Sequence, residues 1–188
     1  MRSKIISAFP GCGKSTYYKK WSQYSPENVW RIRNEGKQVY NNIGTPCGQK
    51  ILDSDSSLFS WIYDENGNKT DKRNPDFPNN YIQHIKDNID KQDIIFISSH
   101  KIVREALEKE GIKYYLIYPQ KDMKDEFIKR FRERGNDEKF IKYQEEHWDE
   151  FIDDMNNETF PYKLILEPWS KWSAITVEVM DSIMEHIE

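Results

Sequence analysis

The sequence predicts an α/β domain in which a parallel sheet is covered by helices on both faces. Three observations lead there. Short apolar runs alternate with helical patterns along the chain, as parallel β-α units require. One run, Asp93-Ile94-Ile95-Phe96-Ile97-Ser98-Ser99, is apolar at successive positions, the pattern of a strand buried on both faces. A glycine-bearing turn, Pro10-Gly11-Cys12-Gly13, joins the first apolar run to the first helix. With 188 residues the chain fits one domain, so 1–188 is expected to fold as a single unit.

The elements follow in order. The first strand is Lys4 to Phe9, and a helical stretch runs from Tyr17 to about Tyr24. Residues 25–50 carry Pro26, Gly36, Gly44, Pro46 and Gly48 and little periodicity, so they read as an inserted lobe or a mobile segment. The second strand, Lys50 to Asp53, ends in Asp53-Ser54-Asp55-Ser56-Ser57. Asn66-Gly67 and Asn74-Pro75 mark 64–78 as loop. A helix over about 80–91 sets Ile82, Ile85 and Ile89 on one face. After the strand at 93–99, Ser99 or His100 caps a helix whose buried stripe is Ile102, Val103, Ala106 and Leu107, and Gly111 stops it. The fourth strand is Lys113 to Tyr118. Helices over about 121–134 and 137–155 follow, the first burying Met123, Phe127 and Phe131, the second Ile141, Trp148, Phe151, Ile152 and Met155. A fifth strand, Lys163 to Leu166, and a last helix over about 174–187 complete the chain.

Composition narrows the function. Only 37% of residues are hydrophobic, but 14% are aromatic, a content that disordered chains lack. With 28 basic against 32 acidic residues the net charge is −4, which argues against a duplex-DNA binder running on bulk attraction to phosphates. Two cysteines, Cys12 and Cys47, make no disulfide framework and point to a reducing compartment. Nothing approaches the ~20 apolar residues of a membrane span, and Met1 to Lys4 lead into a strand rather than a signal-peptide core. A soluble cytoplasmic protein with no membrane partner is expected.

The strand, turn and helix at the N-terminus carry the chemistry. Against the phosphate-binding pattern G-x-x-x-x-G-K-[ST], Ala8 replaces the first glycine, while Gly13, Lys14 and Ser15 fit. Gly11 and Gly13 let the backbone curl so that successive amides face phosphate oxygens. Pro10, Gly11, Cys12, Gly13, Lys14, Ser15 and Thr16 are therefore the expected contacts of a nucleoside triphosphate, namely ATP, at a helix N-terminus. Lys14 is a mobile charge for the β- and γ-phosphates, and the Ser15 hydroxyl is the expected protein ligand of Mg²⁺. The alternative is a loop that merely caps a helix.

Phe9-Pro10-Gly11-Cys12-Gly13-Lys14-Ser15-Thr16 is similar to the loop of adenylate-kinase-like enzymes, and the chain resembles the nucleoside monophosphate kinase branch of the P-loop kinases. Arg73 to Ile82 and Ser98 to Leu107 resemble segments of small nucleotide-kinase-like proteins that phages encode. The resemblance covers about residues 3–20 and 50–170. It implies a three-layer sandwich of the P-loop NTPase/kinase type, sheet order 2-3-1-4-5, a helical lid over 120–156 and a substrate above the C-terminal strand ends. It also implies a host cytoplasm if a phage encodes the chain. The chain departs from the pattern where the third strand ends in Ser98-Ser99-His100 instead of an Asp and a Gly-x-Pro-Arg turn.

Further candidates surround the loop. Asp53 and Asp55 would hold magnesium through water or take a proton from a substrate hydroxyl; otherwise they are capping carboxylates. Arg130 and Arg134 share a helix face four residues apart and match the lid arginines of the kinases the chain resembles; otherwise they belong to a solvated face. Arg73 and Arg104 would grip an acceptor phosphate, with surface salt bridges as the rival account. His100 reads as a cap or a core-edge hydrogen bonder rather than an acid–base group. Cys12 reads as a loop residue whose amide matters more than its sulfur, although a helix N-terminus could lower the thiol pKa and make it sensitive to alkylation. Trp169 and Trp172 fall where related kinases hold adenine.

Three functions compete. The first is ATP- and Mg²⁺-dependent phosphoryl transfer to a small phosphorylated acceptor, foremost a (deoxy)nucleoside monophosphate. The second is a kinase acting on a polynucleotide end or a modified base in DNA, which the net charge disfavours. The third is a nucleotide-binding ATPase without acceptor. Oligomeric state is open.

Overall fold

The computed structural model describes residues 3–22, 49–168 and 173–185. The insert expected over 25–50 lies outside the described residues except for Gln49 and Lys50, as do Trp169, Trp172 and Cys47.

β1 (Lys4–Ala8) lies at the centre of a five-stranded parallel sheet. Its neighbours are β5 (Ile94–Ser98), with Ile5 opposite Ile95, and β6 (Tyr115–Pro119), with Ser7 opposite Leu116. β2 (Ile51–Asp53) flanks β5 and β7 (Tyr162–Leu166) flanks β6, so the sheet reads β2-β5-β1-β6-β7. Ile94, Ile95, Phe96 and Ile97 are all fully buried. Since neighbouring residues of a strand face opposite ways, both faces are covered.

The order differs in its numbers from the expected 2-3-1-4-5 because two further strands come between the second and third strands of the sheet. β3 (Trp61–Tyr63) and β4 (Lys69–Arg73) form a separate antiparallel hairpin where a loop was expected over 64–78. Its turn is held by Asp64, whose Oδ1 accepts from the amides of Asn66 at 2.9 Å and Asn68 at 2.8 Å. β4 reads Lys-Thr-Asp-Lys-Arg, with no apolar alternation. What it packs on is the Trp61 ring, with Lys69 Nζ 4.1 Å and the Arg73 guanidinium 3.7 Å from the ring centroid.

α1 (Lys14–Trp21) starts directly after Gly13 and buries Tyr17 and Trp21, Tyr17 meeting Phe96 edge-on at 5.9 Å. A four-residue helix, α2 (Ser57–Ser60), leads into the hairpin, and α3 (Asn79–Asn88) follows it, burying Tyr81, Ile82 and Ile85. α4 (Lys101–Lys109) buries Val103, Arg104 and Leu107. Ile102, expected in its buried stripe, is exposed instead. Beyond β6 a 3₁₀ turn (Lys121–Met123) opens α5 (Lys124–Glu133), which is followed by α6 (Glu138–Glu146) and α7 (Trp148–Asn157). The single helix expected over 137–155 breaks at His147 (φ −104°, ψ 11°). The break turns Trp148 into the core, where its Nε1 donates to the Lys121 carbonyl at 2.9 Å. α8 (Val177–Glu185) buries Val179, Met180 and Ile183.

The helices of 120–156 pack on the glycine-rich turn. Phe9 lies 5.5 Å from Trp148 and 6.1 Å from Phe127, ring centre to ring centre. Among the described residues no helix is long and apolar enough to cross a membrane.

Candidate functional site

The turn between β1 and α1 is anchored on both sides. The Phe9 amide donates to the Ile117 carbonyl at 2.9 Å, and the Ile175 amide donates to the Cys12 carbonyl at 2.8 Å. Gly11 has φ +83°, and a Cβ there would stand 3.0 Å from the Phe131 ring; Gly13 has φ +100°. Only glycine takes those dihedrals without strain, and at Gly11 only glycine fits. Gly13 provides no side-chain cap for α1, and no acidic residue occupies the first turn. The helix start thus keeps its partial positive charge with no side-chain cap or first-turn carboxylate against it. Ser15 and Thr16 are exposed in that first turn.

Lys14 is half-buried and its Nζ donates to the Ala8 carbonyl. Desolvation pulls its pKa below that of an ordinary lysine; Arg134 adds to the effect, while Cys12, Asp53 and Asp55 oppose it. These groups therefore share one electrostatic neighbourhood. Asp53, half-buried, ends β2. The next residue is pinned, because the Tyr81 hydroxyl donates to the Ser54 carbonyl at 2.8 Å and accepts from the Ser98 amide at 3.3 Å. Asp55 is exposed, and its Oδ1 accepts from the Ser57 amide at 2.8 Å, capping α2.

Arg130 on α5 and Arg134, at its C-cap, diverge. Arg130 donates through Nη1 to the carbonyls of Gly11 at 3.3 Å and Ser173 at 3.0 Å, pairs with Glu126, and lies over the Phe127 ring. It clamps the turn. Arg134, at the exposed end of α5, donates through Nε to Asn136 at 3.0 Å and has no ion pair among the described residues. Cys12 corrects an expectation. The thiol is fully buried 3.8 Å from the Ile117 carbonyl, and desolvation pushes its pKa up to about 12 against the pull of Lys14 and Arg130. It is not an activated nucleophile.

Beside Lys14 opens a cleft of about 750 Å³, bounded by β1, the C-terminal end of β5, the hairpin, α4, α6 and α7. Lys14, Arg73 and Arg104 all line it; Arg130, Arg134, Asp53 and Asp55 do not. Arg104 is only 4% exposed, and its guanidinium donates to Glu158 at 2.6 Å, to the Ser99 carbonyl at 2.5 Å and to Asp154. Arg73 is exposed, stacked on Trp61.

The sequence reads His100 as a cap or a core-edge hydrogen bonder. Its backbone stands at the N-cap of α4, but its side chain makes no capping bond and lines the cleft. Desolvation by the cleft walls lowers its pKa, and so do the charges of Arg73, Arg104 and Lys14. With the folded pKa depressed below the unfolded value, the unfolded chain binds the extra proton first. Its contribution to stability is present above the ordinary imidazole pKa and is lost as pH falls through the folded one. A bound phosphate would cancel the surrounding positive charge and raise that pKa. NMR titration of the His100 ring with and without inorganic phosphate is expected to show the midpoint move upward with the anion; an unmoved midpoint would mean that phosphate binds elsewhere.

The remaining walls were not foreseen. Phe77, Tyr143, Gln144 and Phe151 come from three separate segments. No spacing connects them in the sequence, although the exposed Tyr143 on an otherwise polar helix face was a weak signal.

Among the described residues no three His, Cys, Asp or Glu side chains gather into a metal cage. Magnesium commonly needs only one or two protein oxygens beside substrate phosphates and water. The exposed Ser15 hydroxyl and the Asp53 carboxylate, which acts electrostatically on Lys14, fit that requirement. No family model, curated protein or solved structure matches the chain.

Proposed function

We propose that the protein is a P-loop kinase that transfers the γ-phosphoryl group of ATP to a small phosphorylated acceptor, a nucleoside monophosphate. The observation that carries this reading is the position of Lys14. It belongs to the glycine-bearing turn at the start of α1 and also lines the adjoining cleft with Arg73 and His100. A donor phosphate at the turn and an acceptor phosphate in the cleft would then meet at one cation.

The chemistry asks little covalent help from the protein. An ionised oxygen of the acceptor phosphate attacks the γ-phosphorus, the bond from that phosphorus to the β–γ bridging oxygen breaks, and ADP leaves. The attacking oxygen carries no proton, so no general base is needed. The amides at the start of α1 bind the donor phosphates. Lys14 neutralises charge on the group in transit, and Arg134, unencumbered by an ion pair, extends to the same phosphates. Arg130 acts one step back, holding the Gly11 carbonyl so that the turn keeps its shape. Arg73 and His100 hold the acceptor phosphate. Ser15 would hold magnesium, with Asp53 orienting its water shell, and the ion would supply charge neutralisation across the β- and γ-phosphates. A protein using these substrates belongs in the cytoplasm.

The test is an acceptor panel. Purified protein, ATP and Mg²⁺ are incubated with each nucleoside monophosphate, with single-stranded oligonucleotides, or with no acceptor, and the products are read by mass spectrometry. A nucleoside diphosphate formed with equimolar ADP is expected. Phosphate appearing only on oligonucleotides would move the activity to nucleic acid, and acceptor-independent ADP would make the protein an ATPase.

A further inference from the structure

Gln144 lies on α6 in the wall of the cleft, with a side chain only 7% exposed. Its Oε1 has no hydrogen-bond partner among the described residues. Four described side chains bury an unpartnered polar atom, namely those of Ser54, Asn80, Gln92 and Gln144, and only Gln144 lines the cleft. A buried acceptor left unmet destabilises the free protein, and an apolar residue would have been better for packing. Ile141, one turn earlier on α6, is such a residue, buried in the core. An amide kept at position 144 therefore implies a hydrogen-bond partner from outside.

The surroundings indicate what kind of partner. Tyr143, 51% exposed, and Phe151 line the same cleft, their ring centres 5.8 Å apart. Phe77 lines it from the segment before α3. One exposed and two half-buried aromatic rings beside one buried amide suit a flat ring with a polar edge. A carboxamide offers one acceptor and two donors, and rotation about its terminal bond exchanges them. It can therefore pair with an edge carrying a donor beside an acceptor, as nucleobases do.

We propose that Gln144, Tyr143 and Phe151 form the base site of the acceptor and that Gln144 determines which base is taken. This rests on the reading of the cleft as the acceptor site. The phosphate end of the acceptor meets Lys14, Arg73 and His100; the base lies against the aromatic rings, with its polar edge on the amide. A sugar phosphate without a base leaves Gln144 unmet and binds weakly.

The experiment measures equilibrium binding, which needs no turnover. The four deoxynucleoside 5′-monophosphates and deoxyribose 5-phosphate are titrated into wild-type protein, Gln144→Leu and Gln144→Glu. Wild type is expected to bind its preferred monophosphate at least about tenfold more tightly than deoxyribose 5-phosphate. Gln144→Leu is expected to lose roughly 10- to 100-fold for that monophosphate while keeping its affinity for deoxyribose 5-phosphate. Its unliganded melting temperature should stay level or rise, since the orphaned acceptor is gone; a purely structural glutamine would instead lower it. Gln144→Glu, which keeps the size and the acceptor oxygen but replaces the donor NH2 with a second oxygen, should change the order of preference among bases. The base site is overturned if wild type holds deoxyribose 5-phosphate as tightly as any monophosphate, or if both variants weaken all five ligands equally. Base-selective binding that depends on Gln144, without any transfer from ATP, would keep the base site and overturn the kinase reading. Transfer with unchanged selectivity in both variants would do the reverse.

Discussion

Lys14→Ala is expected to lower kcat/KM for phosphoryl transfer by at least about 10³-fold, the scale on which a cation aimed at a migrating phosphoryl group acts. The fold should survive. Lys14 is a desolvated cation whose pKa is pulled down in the absence of a ligand, so its charged form is held at a cost that alanine removes. Among the described residues, the only side-chain hydrogen bond lost is the one that its Nζ donates to the Ala8 carbonyl. Thermal unfolding should therefore shift little while transfer collapses, and the two measurements on the same sample separate chemistry from stability. Lys14→Arg should not restore activity, because a planar fork cannot replace a compact ammonium in this turn. Transfer at wild-type rate by Lys14→Ala would remove Lys14 from the site and the proposed function with it.

What the sequence made legible follows from how each element is stabilised. β1, β5 and β6 are buried on both faces, so their apolar runs stand out, and the Gly-Lys-Ser turn between β1 and α1 depends on local dihedrals that only certain residues allow. The β3–β4 hairpin was invisible because β4 is stabilised by cations over Trp61 and by an Asp64 turn, neither of which leaves a hydrophobic period. The helix break at His147 was hidden for a related reason: the apolar positions of α6 and α7 continue through it, and only the indole hydrogen bond to the Lys121 carbonyl reveals the turn. Cys12 was misjudged because a helix N-terminus stabilises a thiolate only if water or a cation can reach it, and here burial outweighs both Lys14 and Arg130. The cleft could not be read at all, since its walls are assembled from residues 8–14, 60–77, 98–104 and 143–155.

Arg104 yields the second large effect, and it separates two roles that the sequence could not. One turn into α4, it stood as a candidate ligand for the acceptor phosphate. The structure surrounds it with Glu158, Asp154 and the Ser99 carbonyl, and Glu158 accepts a further bond from the Tyr114 hydroxyl at 3.1 Å. Desolvation and then the Glu158 charge drive the Tyr114 pKa upward, so the phenol remains a donor. Arg104→Ala would leave Glu158, a fifth exposed, with the Tyr114 hydroxyl but no cation, and Asp154, about a quarter exposed, with only the exposed Lys101 ammonium. Breaking a buried pair in this way costs about 3 kcal/mol or more. In a chain of this size that lowers the melting temperature by roughly 6–12 °C. Replacing all three by apolar residues, Arg104→Met with Asp154→Leu and Glu158→Leu, should regain most of that loss, because the penalty lies in the unpaired charges. A structural Arg104 also changes the electrostatics of the cleft. With its charge matched by Asp154 and Glu158, the net attraction for the proposed acceptor phosphate would fall to Lys14 and Arg73, together with a His100 whose pKa a bound anion would raise. Arg73→Ala should therefore weaken phosphate binding without the thermal cost. If Arg104→Ala instead kept its melting temperature and lost the phosphate, the assignments of the two arginines would be exchanged.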